Sequence, residues 1–326
     1  MIRSLVAPIE NDIIRRNLSR ESLTEALSND VAVWIDIMDP TEDELKWLQT
    51  CLDLHPLVVQ DLKRVDTRPT LLAYTNYIFL SLFQPEMKLQ QVRGNEIHCI
   101  IGEKAFITVR HENTNTVDDA YNRAAQNPNY WERDVVYFLY LTMQTTIDAY
   151  YPLVDSMSNT LNDLEEDLLD DKESNLTRRK IYRIKQQLIS LRQMVAPQRE
   201  VLSNVIGEER LTRSIENRDL FRHLYERMMR IYDLIDSQRD LSSNVLDLIQ
   251  SQESQRLGRA VNRLTIFSMI FLPLTFITGL FELNFISTTD QFQLPISGFG
   301  LFLSILFSMV AIVGIMVAYF RNQGWL

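Results

Sequence analysis

The chain has 326 residues, 43 acidic against 33 basic side chains and a net charge of −10. A hydrophobic content of 46% with charge at 23% excludes a disordered chain and leaves room for a sizeable core in about two domains. An acidic chain with no basic stripe is a poor nucleic-acid binder, and two cysteines, Cys51 and Cys99, are too few for a disulfide framework.

In chain order, residues 1–10 lack a long apolar run, so no secretory signal is expected. Val31 to Met38 is β-branched and stopped by Asp39-Pro40, which predicts a strand. Thr41 with Glu44 three residues on is a capping-box signature opening a helix through Leu52. Apolar runs at Leu71–Phe83, Glu96–Ile101 and Ala105–Val109 predict strands, with Gly102-Glu103 as the turn between the last two. His98-Cys99 resembles a soft-metal pair. Strand neighbours point to opposite faces, however, so the pair reads as structural.

From about Asp134 the pattern is helical. Glu165, Glu166, Asp167, Asp170 and Asp171 either collect metal or form the solvated tip of a helical hairpin, and the tip is the favoured reading. From about Asn217 to Phe281 apolar residues recur at Leu220, Leu224, Met228, Ile231, Ile235, Leu241, Val245 and Leu248, with Gly258 the sole breaker before Pro273. One continuous helix of that length spans on the order of 100 Å and must pack in a bundle, between subunits.

Leu264 to Phe281 and Ile296 to Phe320 are uncharged, each close to the roughly 20 residues that cross a bilayer. Arg256, Arg259 and Arg263 precede the first span and Arg321 follows the second, while the loop between has no lysine or arginine. The positive-inside rule places both termini in the cytoplasm, making the chain a multi-pass inner-membrane protein in contact with lipid. The organisation expected is a cytosolic α+β domain (1–133), a helical bundle and long stalk (134–260), and a transmembrane hairpin (261–326).

Within the first span, Gly258, Asn262, Thr265, Ser268, Leu272, Thr275, Gly279 and Glu282 recur every three or four residues and share one helical face. Such a stripe is either a close helix–helix seam or a pore lining repeated once per subunit. Its length, and the acid at its end, favour the pore. Leu272 then forms an apolar constriction, and Glu282 a carboxylate ring attracting cations at the outer mouth.

Several segments carry a family resemblance: Trp34-Ile35-Asp36 with Pro40-Thr41, His55-Pro56-Leu57 with Asp61, Arg68-Pro69, Leu191-Arg192 with Pro197-Gln198-Arg199-Glu200, the run Phe271-Leu272-Pro273-Leu274-Thr275-Phe276-Ile277, and Gly324-Trp325-Leu326. Over nearly its whole length the chain resembles the CorA family of divalent-cation channels. That resemblance implies a homopentamer with a cytosolic α/β funnel, one long pore-lining helix per subunit and a second helix outside it. The partners expected are other copies of the chain and the divalent cation, Mg2+, Co2+, Ni2+ or Zn2+, as cargo or regulator, with no cofactor and no catalysed reaction.

The family's Gly-Met-Asn signature is replaced by Glu282-Leu283-Asn284. The resemblance makes Asn284 the outer ring holding a hydrated ion and Thr275 and Ser268 ligands for its water, while Glu282 puts Mg2+ selectivity in question. His223 stands where the magnesium branch places a regulatory cytosolic acid, with Glu86 a candidate partner. Histidine suits Zn2+, Ni2+ or Co2+ better than Mg2+. An ordinary surface histidine is the competing reading. A sensor that has lost transport is the alternative function that the altered signature suggests.

Overall fold

The computed structural model describes residues 1–7, 14–29, 31–64, 68–169, 175–285 and 298–323, with residues 169, 175, 280–285, 298 and 301 described by their backbone alone. Residues 1–246 and 247–326 form two compact units.

The first unit is built on the β-branched run that forms β3 (Val33–Met38). It lies between β1 (Ile2–Val6), antiparallel, and β7 (Ala105–Arg110), parallel. Adding β2 (Arg15–Arg16), β4 (Leu71–Ala73), β5 (Ile78–Lys88) and β6 (Gln91–Ile101) gives a seven-stranded mixed sheet of order β2-β1-β3-β7-β6-β5-β4. Strands covered on both faces need apolar residues at successive positions rather than alternation, which is why β3 and β7 read as nearly unbroken apolar runs.

One face carries α1 (Arg20–Ser28), α2 (Glu42–Leu52) and α3 (Pro56–Lys63), whose Leu23, Leu45, Leu48, Val58 and Leu62 pack on Ile35, Ile37, Ile100, Ile107 and Val109. The capping box at α2 is present: Thr41 accepts from the Glu44 N–H, and Glu44 accepts from the Thr41 N–H at 2.9 Å. The other face carries α4 (Asn115–Gln126) and α5 (Val136–Asp148), where Trp34 sits 5.1–5.4 Å from the rings of Phe106, Tyr121 and Phe138. Buried Asp36 accepts from Arg3 Nε, Arg110 Nη2 and Thr108 Oγ1, tying β1, β3 and β7 together.

Two expectations shift. The run Leu71–Phe83 is two strands, because the chain turns at Thr75-Asn76: the Tyr74 N–H donates to the Tyr77 carbonyl and the two rings stack. The β6–β7 turn is Glu103-Lys104, one residue later than expected, since Gly102 still bonds across to Ala105.

The helices that follow are α6 (Tyr150–Leu169), α7 (Asn175–Gly207), α8 (Ile215–Phe285) and α9 (Gly298–Asn322). Residues 170–174, including Asp170 and Asp171, lie outside the described residues. In the first unit α8 buries Phe221, Leu224, Met228, Ile231, Ile235 and Val245, and in the second Ile249, so the buried positions at the two ends of this run are Phe221 and Ile249, each one residue beyond the expected Leu220 and Leu248. Arg192 of α7 grips it, with Nε on Asp236 at 2.7 Å and Nη2 on the Tyr232 hydroxyl at 2.7 Å.

His98 and Cys99 face opposite sides of β6, both buried. His98 lies 3.4 Å from Glu96, and burial pushes the Cys99 thiol far up, leaving it protonated and inert.

Candidate ion-conduction site

The second unit consists of the end of α8 and α9. The helix continues through Pro273, which has no N–H and so removes the usual donor for the Met269 carbonyl. Gly258, Ser268, Leu272, Thr275 and Gly279 are exposed on it and Asn262 and Thr265 half-buried, Leu272 at 72% of its surface. These are the stripe residues read from the sequence, and α8 sets them in register as one uninterrupted helix.

The hydroxyls have a uniform orientation. Thr265 donates to the Val261 carbonyl, Ser268 to Leu264 and Thr275 to Phe271, at 2.8–2.9 Å, each reaching back four residues. Thr278, beside the stripe, donates to the Leu274 and Thr275 carbonyls, a pairing the stripe spacing did not single out. With each proton committed to the helix, every hydroxyl oxygen keeps its lone pairs for outside partners. An acceptor-only surface of this kind suits the hydrogens of water around a cation.

Thr265, Ser268, Met269, Leu272 and Pro273, with Met316 of α9, border a groove of about 380 Å³. Met316 thus brings α9 to one side of the stripe at this level. Ile249, Ile266 and Phe320 are the buried side chains of this unit among the described residues.

Glu282 and Asn284 lie in the last turn of α8, on its backbone; their side chains lie outside the described residues. His223 is exposed on α8 in the first unit. Glu86 on β5 accepts from Asn95 Nδ2 at 3.0 Å. Among the described residues no three His, Cys, Asp or Glu side chains converge to hold a metal, so one chain does not by itself present a multidentate cage there.

Among the described residues two helices are long and apolar enough to cross a membrane. An α/β unit followed by a helix of 71 residues and a second apolar helix, both with stretches able to span a bilayer, defines the class as an integral-membrane protein. The chain belongs to the CorA-like Mg2+ transporter protein family, whose model matches residues 29–322. It is 26% identical over 313 residues to the cobalt/magnesium transport protein CorA of Thermotoga maritima, covering 94% of this chain and 87% of that one. To the zinc transport protein ZntB of Yersinia enterocolitica it is 26% identical over 306 residues, covering 90% and 88%. The complete structure of the CorA magnesium transporter from Methanocaldococcus jannaschii superposes with a TM-score of 0.82 at 19% identity, over 100% of this chain and 99% of that chain, and so shares its fold. The chain is thus a transporter of divalent metal cations in the inner membrane, with two C-terminal spans and a cytoplasmic N-terminal region.

Proposed function

We propose that five copies of this chain surround one axis and conduct a divalent cation along the α8 stripe. One hairpin cannot enclose a water-filled path, so the lining must be repeated by symmetry. The observation that carries this reading is the common orientation of Thr265, Ser268 and Thr275, whose oxygens all remain available as acceptors. A sensor without transport has no use for three acceptors kept in register, which disfavours that alternative.

In this reading Asn284 forms the outer ring that hydrogen-bonds the ion's water shell, and Glu282 concentrates cations at the mouth. Gly258, Asn262 and Gly279 complete the polar face, and Leu272 forms an apolar ring that closes the path by dewetting. An inside-negative potential drives the ion inward with roughly 2.3 kcal/mol per charge at 100 mV, doubled for a divalent cation. His223 is a cytosolic ligand that favours Zn2+, Ni2+ or Co2+ over Mg2+ as the regulatory ion. The chain catalyses no reaction, and the cation is cargo rather than cofactor.

Glu282 in place of the family's glycine separates this chain from both the magnesium and the zinc pattern. The deciding experiment is uptake of Mg2+, Zn2+, Co2+ and Ni2+ into dye-loaded proteoliposomes, with and without a pH gradient. Flux of at least one ion, with a ranking shifted away from Mg2+, is expected. Absence of flux for all four, from protein shown to be assembled, would overturn the reading.

A further inference from the structure

Pro273 leaves a backbone acceptor without its donor inside the first span. In an α-helix the carbonyl of residue 269 receives the N–H of residue 273, and proline has none to give. The nearby hydroxyls do not replace it, because each has a single proton. Those of Thr265, Ser268 and Thr275 go to Val261, Leu264 and Phe271, and that of Thr278 goes to Leu274 and Thr275. Met316, the α9 side chain that borders the same groove, is a thioether with no proton to donate. In a ring of identical chains, a neighbouring α8 brings the same committed hydroxyls.

The oxygen opens onto the groove. A helix carbonyl lies beneath the nitrogen four residues on, so that of Met269 emerges between the Met269 and Pro273 side chains. These stand about 60° and 100° round α8 from Leu272, on the same side. Both border the groove of about 380 Å³, as do Thr265, Ser268 and Leu272 of the stripe. Acyl chains carry no donor, and a bare carbonyl in hydrocarbon is costly. What meets this one is water, so the groove is wet at its level.

We infer that the Met269 carbonyl is a water-binding site on the ion path, which takes up the hydration shell of a divalent cation on the cytoplasmic side of Leu272. The inference rests on the conduction reading and adds to it an acceptor from the backbone. A back-bonded hydroxyl has given up its proton to the helix, whereas this carbonyl keeps both lone pairs for the shell. Its level is three residues before Leu272, about 4.5 Å along the axis, where a hydrated ion leaves the apolar ring. The ion it suits is one that keeps its water, as Mg2+ does, because the oxygen meets the shell rather than the metal.

The test changes one backbone group at a time in the full chain, assembled in lipid vesicles. Pro273→Ala supplies the missing N–H and occupies the carbonyl. Lactic acid at position 273, placed by nonsense suppression, is alanine with an ester oxygen in place of that N–H. Both forms relax the proline ring, so their difference isolates the donor. Pro273→Ala should slow uptake of the conducted cation roughly five-fold, the worth of one hydrogen bond, while the lactic acid form stays within about two-fold of wild type. Equal uptake by wild type and Pro273→Ala would overturn the site. Equal slowing by alanine and lactic acid would overturn it too, by making the ring the cause.

A second readout does not involve flux. Carbonyl-13C methionine combined with 15N isoleucine selects Met1 and Met269 in solid-state NMR, the two methionines followed by isoleucine. Polarisation transfer from water to the Met269 carbonyl should be strong in wild type and reduced in Pro273→Ala. Equal transfer in the two would overturn the site even where ions pass. The expected transfer with no flux of any ion would overturn conduction and leave the hydrated carbonyl standing.

Discussion

Gln198 of α7 and Tyr150 of α6 meet at 2.5 Å, the amide Nε2 donating to the hydroxyl, and together they hold one residue of the sheet. Gln198 Oε1 accepts from the Phe83 N–H at 3.1 Å, and the Tyr150 hydroxyl donates to the Phe83 carbonyl at 3.0 Å. Phe83 lies on β5 beyond the three residues that β4 pairs, so its backbone would otherwise be an unpaired sheet edge. Two helices thus supply by side chain what another strand would supply by backbone.

Replacing Gln198 by Leu keeps the volume but strands the buried Phe83 N–H. Loss of about 2–3 kcal/mol is expected, read from the unfolding midpoint of the full chain in detergent. Tyr150→Phe should cost less, about 1–2 kcal/mol, and the two losses should not add, because they share partners.

Glu44 sets an acid limit on the first unit. Burial opposes its ionisation, but the Thr41 N–H, the Met1 ammonium, the Thr41 hydroxyl and Arg20 together hold its carboxyl below the ordinary value of 4.5. Its stabilisation is therefore fully present above that ordinary value and disappears as pH falls through the lowered one. Glu44→Gln should be less stable than wild type at neutral pH by up to about 1 kcal/mol, and the gap should close in acid. A gap that persists in acid would show that the charge is not what Thr41 and Arg20 hold.

The acceptor stripe predicts opposite outcomes for two substitutions at one position. Thr275→Val removes the oxygen at nearly constant shape and should slow cation flux by several-fold or more. Thr275→Ser restores an oxygen that can reach the same carbonyl and should recover most of it. Flux measured in the same vesicles distinguishes loss of an acceptor from loss of packing.

Glu282→Gln should lower flux at low metal concentration and leave the maximal rate nearly unchanged, because a charge at the mouth acts on local ion concentration. Raising the salt should shrink the difference, since screening at about 1 M acts within roughly 3 Å. Equal flux at low metal and low salt would remove the collecting role.

Much of this architecture was legible in the sequence because the signals are local. The Thr41/Glu44 box, the β-branched Val33–Met38 and the stripe from Gly258 to Gly279 each declare themselves within a few turns. What stayed hidden depends on long-range partners. Gln198 and Phe83 are 115 residues apart, and nothing in a glutamine beside Pro197 signals a sheet edge to be capped. β1 is short, and its place beside β3 comes from pairing rather than pattern. The split of Leu71–Phe83 has no local mark, because Thr75-Asn76 lacks the glycine that usually signals so tight a turn. At the mouth, spacing and charge single out Glu282, whereas the role of Asn284 rests on resemblance.

The back-bonded hydroxyls of α8 have one more consequence. Serine and threonine do not titrate in the physiological range, and here their protons are already committed to the helix. In the proposed pore they would form a wall of fixed polarity, hydrogen toward the backbone and oxygen free for the ion's water. It discriminates the sign of an ion without bearing a net charge, and neither acid nor salt can neutralise it. Rejection of anions in the span should therefore survive conditions that silence the carboxylates at the mouth.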